Sequence, residues 1–266
     1  MTVVGCISAK ASPGVTTAVQ LVADAWPLGR ALLVVEADPA GGDLAGRLGL
    51  RPDPGLVSLA SEGRRGLSGD IVDAHVQAAG EGVSVLLAPA GARAASAALS
   101  VLADRLADAL GQTVERDVVV DCGRLGPASP AWPLVRAADA AVLLTGATAT
   151  DVAHARPLVE DVAAGSTVVG VVVVGEPGGR GERYPAEEVA EALGVPLWGT
   201  LPAEPGVVAS LLTGRADRKR MARSRLARAA ADLAARLAST PARPKGRPQT
   251  AGNGSGAGAR LEGFPR

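Results

Sequence analysis

Seven short apolar runs, separated by helical patterns, constrain this chain more than any other feature of its sequence. They are Val3–Ser8, Ala31–Val35, Gly82–Leu87, Asp117–Gly123, Ala140–Leu144, Thr167–Val174 and Pro196–Leu201. A run such as Ala31-Leu32-Leu33-Val34-Val35 is apolar throughout, not at every second residue, which suits a strand covered on both faces. Strands that alternate with helices predict an α/β domain built on a largely parallel central sheet. Aromatic residues make up only 2% of the 266 residues while 47% are hydrophobic, so the core must be assembled from Ala, Val and Leu. That scarcity also weighs against recognition of single-stranded nucleic acid by base stacking.

Chemistry enters between the first strand and the first helix, expected over Thr16 to Trp26. There the chain reads Lys10-Ala11-Ser12-Pro13-Gly14-Val15-Thr16-Thr17. Strand, tight glycine turn and helix is the context of a phosphate-binding P-loop. Backbone N–H groups of residues 11 to 16, apart from Pro13, which has none, can converge there on a polyphosphate, and the start of the helix adds partial positive charge. Thr16 stands where a hydroxyl joins the Mg²⁺ shell. Val15 stands where the usual loop carries lysine, and an aliphatic side chain cannot donate to an oxyanion. Two carboxylates follow strands downstream: Asp38 after the second run, and Asp121 near the end of Asp117-Val118-Val119-Val120-Asp121-Cys122-Gly123. A carboxylate at the C-terminal edge of a parallel strand faces the same crevice as the P-loop, so Asp121 can hold Mg²⁺ through water. The alternative for both is a pair of solvated loop carboxylates.

The octet resembles the deviant Walker A motif of the MinD/ParA family, Lys-Gly-Gly-Val-Gly-Lys-Thr-Thr. Lys10, Gly14, Thr16 and Thr17 match it; Ala11, Ser12, Pro13 and Val15 depart from it. Glu36-Ala37-Asp38-Pro39-Ala40-Gly41-Gly42-Asp43 is similar to the family's second strand and switch I, with Glu36 replacing the first aspartate. Asp117–Gly123 resembles its Walker B strand and switch II, and Gly194–Pro202 resembles the late segment that passes the adenine. The resemblance implies a three-layer αβα P-loop NTPase domain over residues 1–239 that binds ATP with Mg²⁺ and forms a homodimer on nucleotide. It implies that Lys10 reaches the partner's phosphates and that Asp38 orients the attacking water or a water on Mg²⁺. Residues 10–17, Gly123, Gly175 and Pro202 would touch the nucleotide, and Thr16, Asp38 and Asp121 the metal. Gly175 falls where many members read adenine with Asn, so base recognition would rest on main chain. Arg124, three residues past Asp121, is a candidate to reach the γ-phosphate in place of the missing lysine.

Without lysine at position 15, binding should survive better than hydrolysis, because the departing phosphoryl group loses charge stabilisation. Degenerate Walker A loops are a feature of the family's CpaE/TadZ branch, which positions Flp pilus machinery. The expectation is therefore a nucleotide switch with weak or no hydrolysis that positions an unknown protein partner. An active partition-type ATPase working on DNA is the second reading, and an interaction module without nucleotide the third.

Acidic and basic residues balance at 27 each, so no global field steers the chain to DNA or anionic lipid. Basic residues nevertheless gather at Arg215, Arg218, Lys219, Arg220, Arg223, Arg225 and Arg228, at the start of the last helix. They form either a solvated outer face or a contact for phosphates of DNA or lipid headgroups. The apolar positions Ala222, Leu226, Ala229, Ala230, Leu233 and Leu237 recur at helical spacing and form the packing face. Residues 240–266, rich in Pro, Gly and Arg, read as a disordered tail. No run spans a bilayer and the first residues enter a strand directly, which predicts a cytoplasmic protein, with the inner membrane face or the nucleoid as peripheral sites. Cys6, Cys122, His75 and His154 carry no ligand spacing and read as packing or surface residues.

Overall fold

The computed structural model of the chain describes residues 1–10, 14–113, 115–165, 167–175, 183–213 and 223–243. Within them eight strands form one sheet: β1 Val3–Ser8, β2 Leu32–Glu36, β3 Gln77–Gly80, β4 Val83–Leu86, β5 Asp117–Arg124, β6 Ala140–Thr145, β7 Val168–Val174 and β8 Leu197–Leu201. Their order is β3-β4-β2-β5-β1-β6-β7-β8, and every pairing except β3 with β4 is parallel. All seven expected runs are strands.

Each run is apolar throughout because consecutive side chains feed two different cores. Val118 and Val120 join one apolar cluster while Val119 joins the other, and Val171 and Val173 are divided from Val172 in the same way. The first cluster holds side chains of α3 (Leu56–Glu62), α5 (Ala92–Gln112), α6 (Trp132–Ala137), α7 (Ala149–Ala164) and α8 (Ala186–Leu193). The second holds those of α1 (Val15–Asp24), α9 (Pro205–Leu212) and α10 (Arg225–Ala238), with Leu44 from α2 (Leu44–Leu48). A further short helix, α4 (Gly69–Asp73), precedes β3. The result is a three-layer αβα domain. Along α10, Leu226, Ala230, Leu233 and Leu237 are buried as their spacing predicts; Ala229 is half-buried, and Ala222 lies outside the described residues.

Two aspartates close the N-terminal edge of the sheet. Asp117 accepts the Thr2 amide at 2.9 Å and the Arg30 guanidinium at 2.7 Å through both oxygens. Asp139 accepts the Val3 amide at 2.7 Å and the Arg243 amide at 2.7 Å. Arg243 thus ties the chain to β6 four residues into the segment expected to be a free tail; residues 244–266 lie outside the described residues. At the opposite, C-terminal edge lie Glu36, Asp38 and Asp121, and of their carboxylate oxygens Asp121 Oδ2 is buried without a partner. No helix among the described residues is long and apolar enough to cross a membrane.

Candidate functional site

The first turn of α1 begins at Gly14, whose φ of 80° lies in the left-handed region that glycine enters at little cost. The first bond of the helical ladder runs from the Ala18 amide to the Gly14 carbonyl at 2.9 Å, so the amides of Val15, Thr16 and Thr17 come before it. Among the described residues no side chain caps these amides, and no acidic residue sits in the first turn. An uncapped helix start on which the protein has placed no anion of its own suits an anion from outside. Lys10 is exposed where β1 ends, and Ala11, Ser12 and Pro13 lie outside the described residues. Val15 is only 5% exposed, packed in the apolar cluster that contains Val4, Cys6 and Val19. Its side chain belongs to the core, and only its amide belongs to the loop.

Asp121 is fully buried. Its Oδ1 accepts the Gly123 amide at 3.0 Å, while Oδ2 has no partner. The Thr16 hydroxyl lies close enough to favour the ionised carboxylate without making a hydrogen bond of normal geometry to Oδ2. Burial raises the carboxyl to about 7; Thr16 and Gly123 pull it down, and the charges of Glu36 and Asp38 push it up again. Asp38 is half-buried, its Oδ1 accepts the Ala40 amide at 2.8 Å, and burial raises its carboxyl too. Gly123 joins the two aspartates. Its φ is 54°, and a Cβ there would stand 1.9 Å from Asp38 Oδ2, so a side chain at 123 would displace Asp38. The β1–β5 register shifts here: Cys6 pairs with Asp121 but Ser8 with Arg124, an irregularity of the kind that re-aims side chains beside sites. The Ala37 amide donates to the Asp121 carbonyl at 2.7 Å and the Ser8 hydroxyl to the Gly123 carbonyl at 3.2 Å, so three turns are tied together.

No protein-family model matches the chain, and no curated protein does. Solved structures do. The ParA family ATPase from Chlorobium tepidum TLS superposes with a TM-score of 0.70 at 19% identity, covering 88% of this chain and 97% of its own. MinD from Pyrococcus horikoshii OT3, complexed with Mg-ADP, gives 0.74 at 20% identity over 90% and 96%. The MinC:MinD cell division complex of Aquifex aeolicus gives 0.71 at 18% identity over 93% and 99%. The chain has the MinD/ParA ATPase fold.

Within that fold the remaining expected residues take defined places. Arg124 is exposed at the end of β5, level with Ser8. Gly175 follows β7, and its amide donates to the Leu201 carbonyl at 2.9 Å, which brings it beside the segment that leads to Pro202. Gly175 and Pro202 therefore lie at the C-terminal edge of the sheet on the β6 side of β1, and Arg124 lies on the β5 side. Glu36, which replaces the first aspartate of the motif, holds backbone amides. Its Oε1 accepts the Asp43 and Leu44 amides at 2.6 and 2.8 Å, and its Oε2 accepts the Ala88 amide at 3.0 Å. It fastens the turn carrying Asp38 to the end of β4 with both of its oxygens. Arg47 was not singled out from the sequence, although its i,i+4 spacing from Asp43 was a signal for an ion pair. It donates to Thr17 Oγ1 at 3.1 Å and to Asp43 Oδ2 at 2.9 Å.

Burial and the Asp121 charge push both thiols, Cys6 and Cys122, well above the ordinary range, so both are neutral packing groups. His75 lies between Ser58 Oγ at 2.9 Å and Glu62 Oε2 at 3.0 Å, and His154 is exposed. Arg225 and Arg228 are exposed on α10, and Arg223 is exposed just before it. Glu204 accepts the Arg225 and Leu226 amides at 3.3 and 3.1 Å and lies 3.7 Å from the Arg225 guanidinium. Arg215, Arg218, Lys219 and Arg220 lie outside the described residues.

The residues fit a magnesium nucleotide. Among the described residues no three His, Cys, Asp or Glu side chains converge on a metal. Mg²⁺ needs no such cage: it keeps several waters and binds through one or two protein oxygens together with phosphate oxygens. Thr16 Oγ1 and the unpartnered Asp121 Oδ2 offer such oxygens beside the uncapped turn of α1.

Proposed function

We propose that the chain is a MinD/ParA-type switch that binds ATP with Mg²⁺ at the start of α1, dimerises around it and recruits a protein partner. The observation that carries this reading is the buried, unpartnered Asp121 Oδ2 beside the Thr16 hydroxyl. Leaving a carboxylate oxygen buried and unpaired is costly for a fold that gains nothing from it. In this reading the backbone N–H groups of residues 11 to 16, apart from Pro13, which has none, cradle the phosphates. Thr16 and, through water, Asp121 hold Mg²⁺. Asp38 orients a water, Lys10 crosses to the partner's nucleotide, and Gly123, Gly175 and Pro202 border it. The metal would neutralise charge on the phosphate oxygens. Position 15 is Val, with its side chain in the core, so no lysine reaches the phosphoryl group from the start of α1, which supports weak or absent hydrolysis. Residues 1–239 are then one nucleotide-binding domain and the remaining residues a tail.

A positioning role for pilus or secretion machinery, as in the CpaE/TadZ branch, accords with that degenerate loop. The exposed Arg223 and Arg228 favour a second reading, an active partition ATPase on DNA. Light scattering with and without Mg-ATP, run with a phosphate-release assay, tests the proposal. A nucleotide-dependent doubling of mass with little phosphate release is expected. A mass unchanged by ATP would contradict the switch. Steady release, together with DNA binding that weakens steeply with salt, would favour the partition ATPase.

A further inference from the structure

We propose that Arg47 supplies the phosphate-binding positive charge that position 15 lacks, and that it selects polyphosphates over monophosphates. This rests on the reading of the start of α1 as a nucleotide site. The Asp43 and Leu44 amides, at the start of α2, donate to buried Glu36, and Leu44 packs in the same cluster as α1. One turn on, Arg47 projects against α1. Its side chain is only 8% exposed, an unusual degree of burial for a guanidinium.

Its partners explain the geometry but not the burial of charge. Nη1 donates to Thr17 Oγ1 at 3.1 Å and Nη2 to Asp43 Oδ2 at 2.9 Å. Thr17 is a neutral acceptor, and the Asp43 carboxylate is 68% exposed, so this ion pair is screened and weak. What the arrangement does achieve is position. Thr17 is the third residue of α1, and its amide is one of those with no capping side chain. A guanidinium anchored at two points beside that turn is oriented before any ligand arrives, and three of its five N–H donors remain for an oxyanion. The local charge calls for a cation, since the carboxylates of Glu36, Asp38 and Asp121 act on one another across the site. Arg124, nominated by sequence order, is exposed at the end of β5, whereas Arg47 is already held against α1.

A purely structural strut between α2 and α1 would behave differently. Loss of a strut lowers affinity for every nucleotide by one factor; loss of a phosphate contact costs more the more phosphates the ligand carries. Calorimetric titration of the full chain with ATP, ADP and AMP in Mg²⁺ separates the two, using wild type, Arg47→Ala and Arg47→Lys. Arg47→Ala should lose at least about tenfold in ATP affinity, as for one hydrogen bond to a charged group, with a smaller loss for AMP. Arg47→Lys should recover part of it, because it restores charge without the fork. An ATP affinity unchanged in Arg47→Ala, or equal losses for all three nucleotides, would overturn the proposal while leaving the nucleotide site standing. A wild-type chain that binds no ATP would remove both. Should Arg47→Ala lose its cooperative melting transition, Arg47→Gln keeps the stem and one donor for Thr17 and carries the same comparison.

Discussion

Replacing Asp121 with Asn is expected to raise the melting temperature of the nucleotide-free protein at pH 8 by several degrees and to abolish its stabilisation by Mg-ATP. The asparagine Oδ1 can still accept the Gly123 amide, as Asp121 Oδ1 does at 3.0 Å. Its NH₂ replaces a buried oxygen that has no partner and is repelled by Glu36 and Asp38. The pH dependence follows from linkage. In the folded state burial raises the Asp121 carboxyl to about 7 from its ordinary 3.8, so between those values the native state binds more protons than the unfolded one. Stability therefore falls as pH rises through that window, and the cost, on the order of a few kcal/mol, is full above it and absent below about pH 4. At roughly 2–4 °C per kcal/mol for a chain of this size, the Asn variant should melt well above wild type at pH 8 and close to it near pH 4. Mg-ATP at a hundred times its Kd should add about 2.7 kcal/mol to wild type and nothing to the variant. Thermal melts at the two pH values, with and without Mg-ATP, check both halves. A variant that melts below wild type at pH 8, or one still stabilised by Mg-ATP, would refute this account of Asp121.

Glu36→Ala should be the most destabilising single change near the site, at about 2–4 kcal/mol in urea unfolding. Two effects oppose each other. Burial raises the Glu36 carboxyl despite three amide hydrogen bonds, so removing the charge returns some free energy. Truncation, however, orphans the amides of Asp43, Leu44 and Ala88, which now donate at 2.6, 2.8 and 3.0 Å. Each unsatisfied buried amide costs about 1–3 kcal/mol, and three outweigh one relieved carboxylate. The turn carrying Asp38 would also lose its fastening to β4, so Mg-ATP affinity should fall with stability. A midpoint equal to wild type would show that water replaces the carboxylate.

The sheet was legible because its strands are covered on both faces and leave continuous apolar runs. Strand β3 was not. It is a half-exposed edge, Gln77–Gly80, paired on one side only, and nothing in its composition separates it from a loop. Helices α2 and α4, of five residues each, were equally hidden, since segments so short depend on tertiary contacts. The start of α1 and Asp121 could be read from sequence, because a turn after a strand places a residue at the C-terminal edge. Glu36 could be placed but not understood: one of its amide partners, Ala88, lies 52 positions away. Arg47 meets Thr17 across 30 positions, a contact created by the fastening of α2, which no local pattern encodes.

The central claim is that the uncapped start of α1 and the unpaired Asp121 together form a site for a magnesium nucleotide. Calorimetric titration of ATP into the wild-type chain, with Mg²⁺ and again with Mg²⁺ removed by chelation, tests it most directly. One nucleotide per chain, bound at least about tenfold more tightly with Mg²⁺, is the expected result, because in the proposed site Thr16 and Asp121 would hold the metal and the metal would offset phosphate charge. No binding at millimolar ATP, or an affinity indifferent to Mg²⁺, would contradict it.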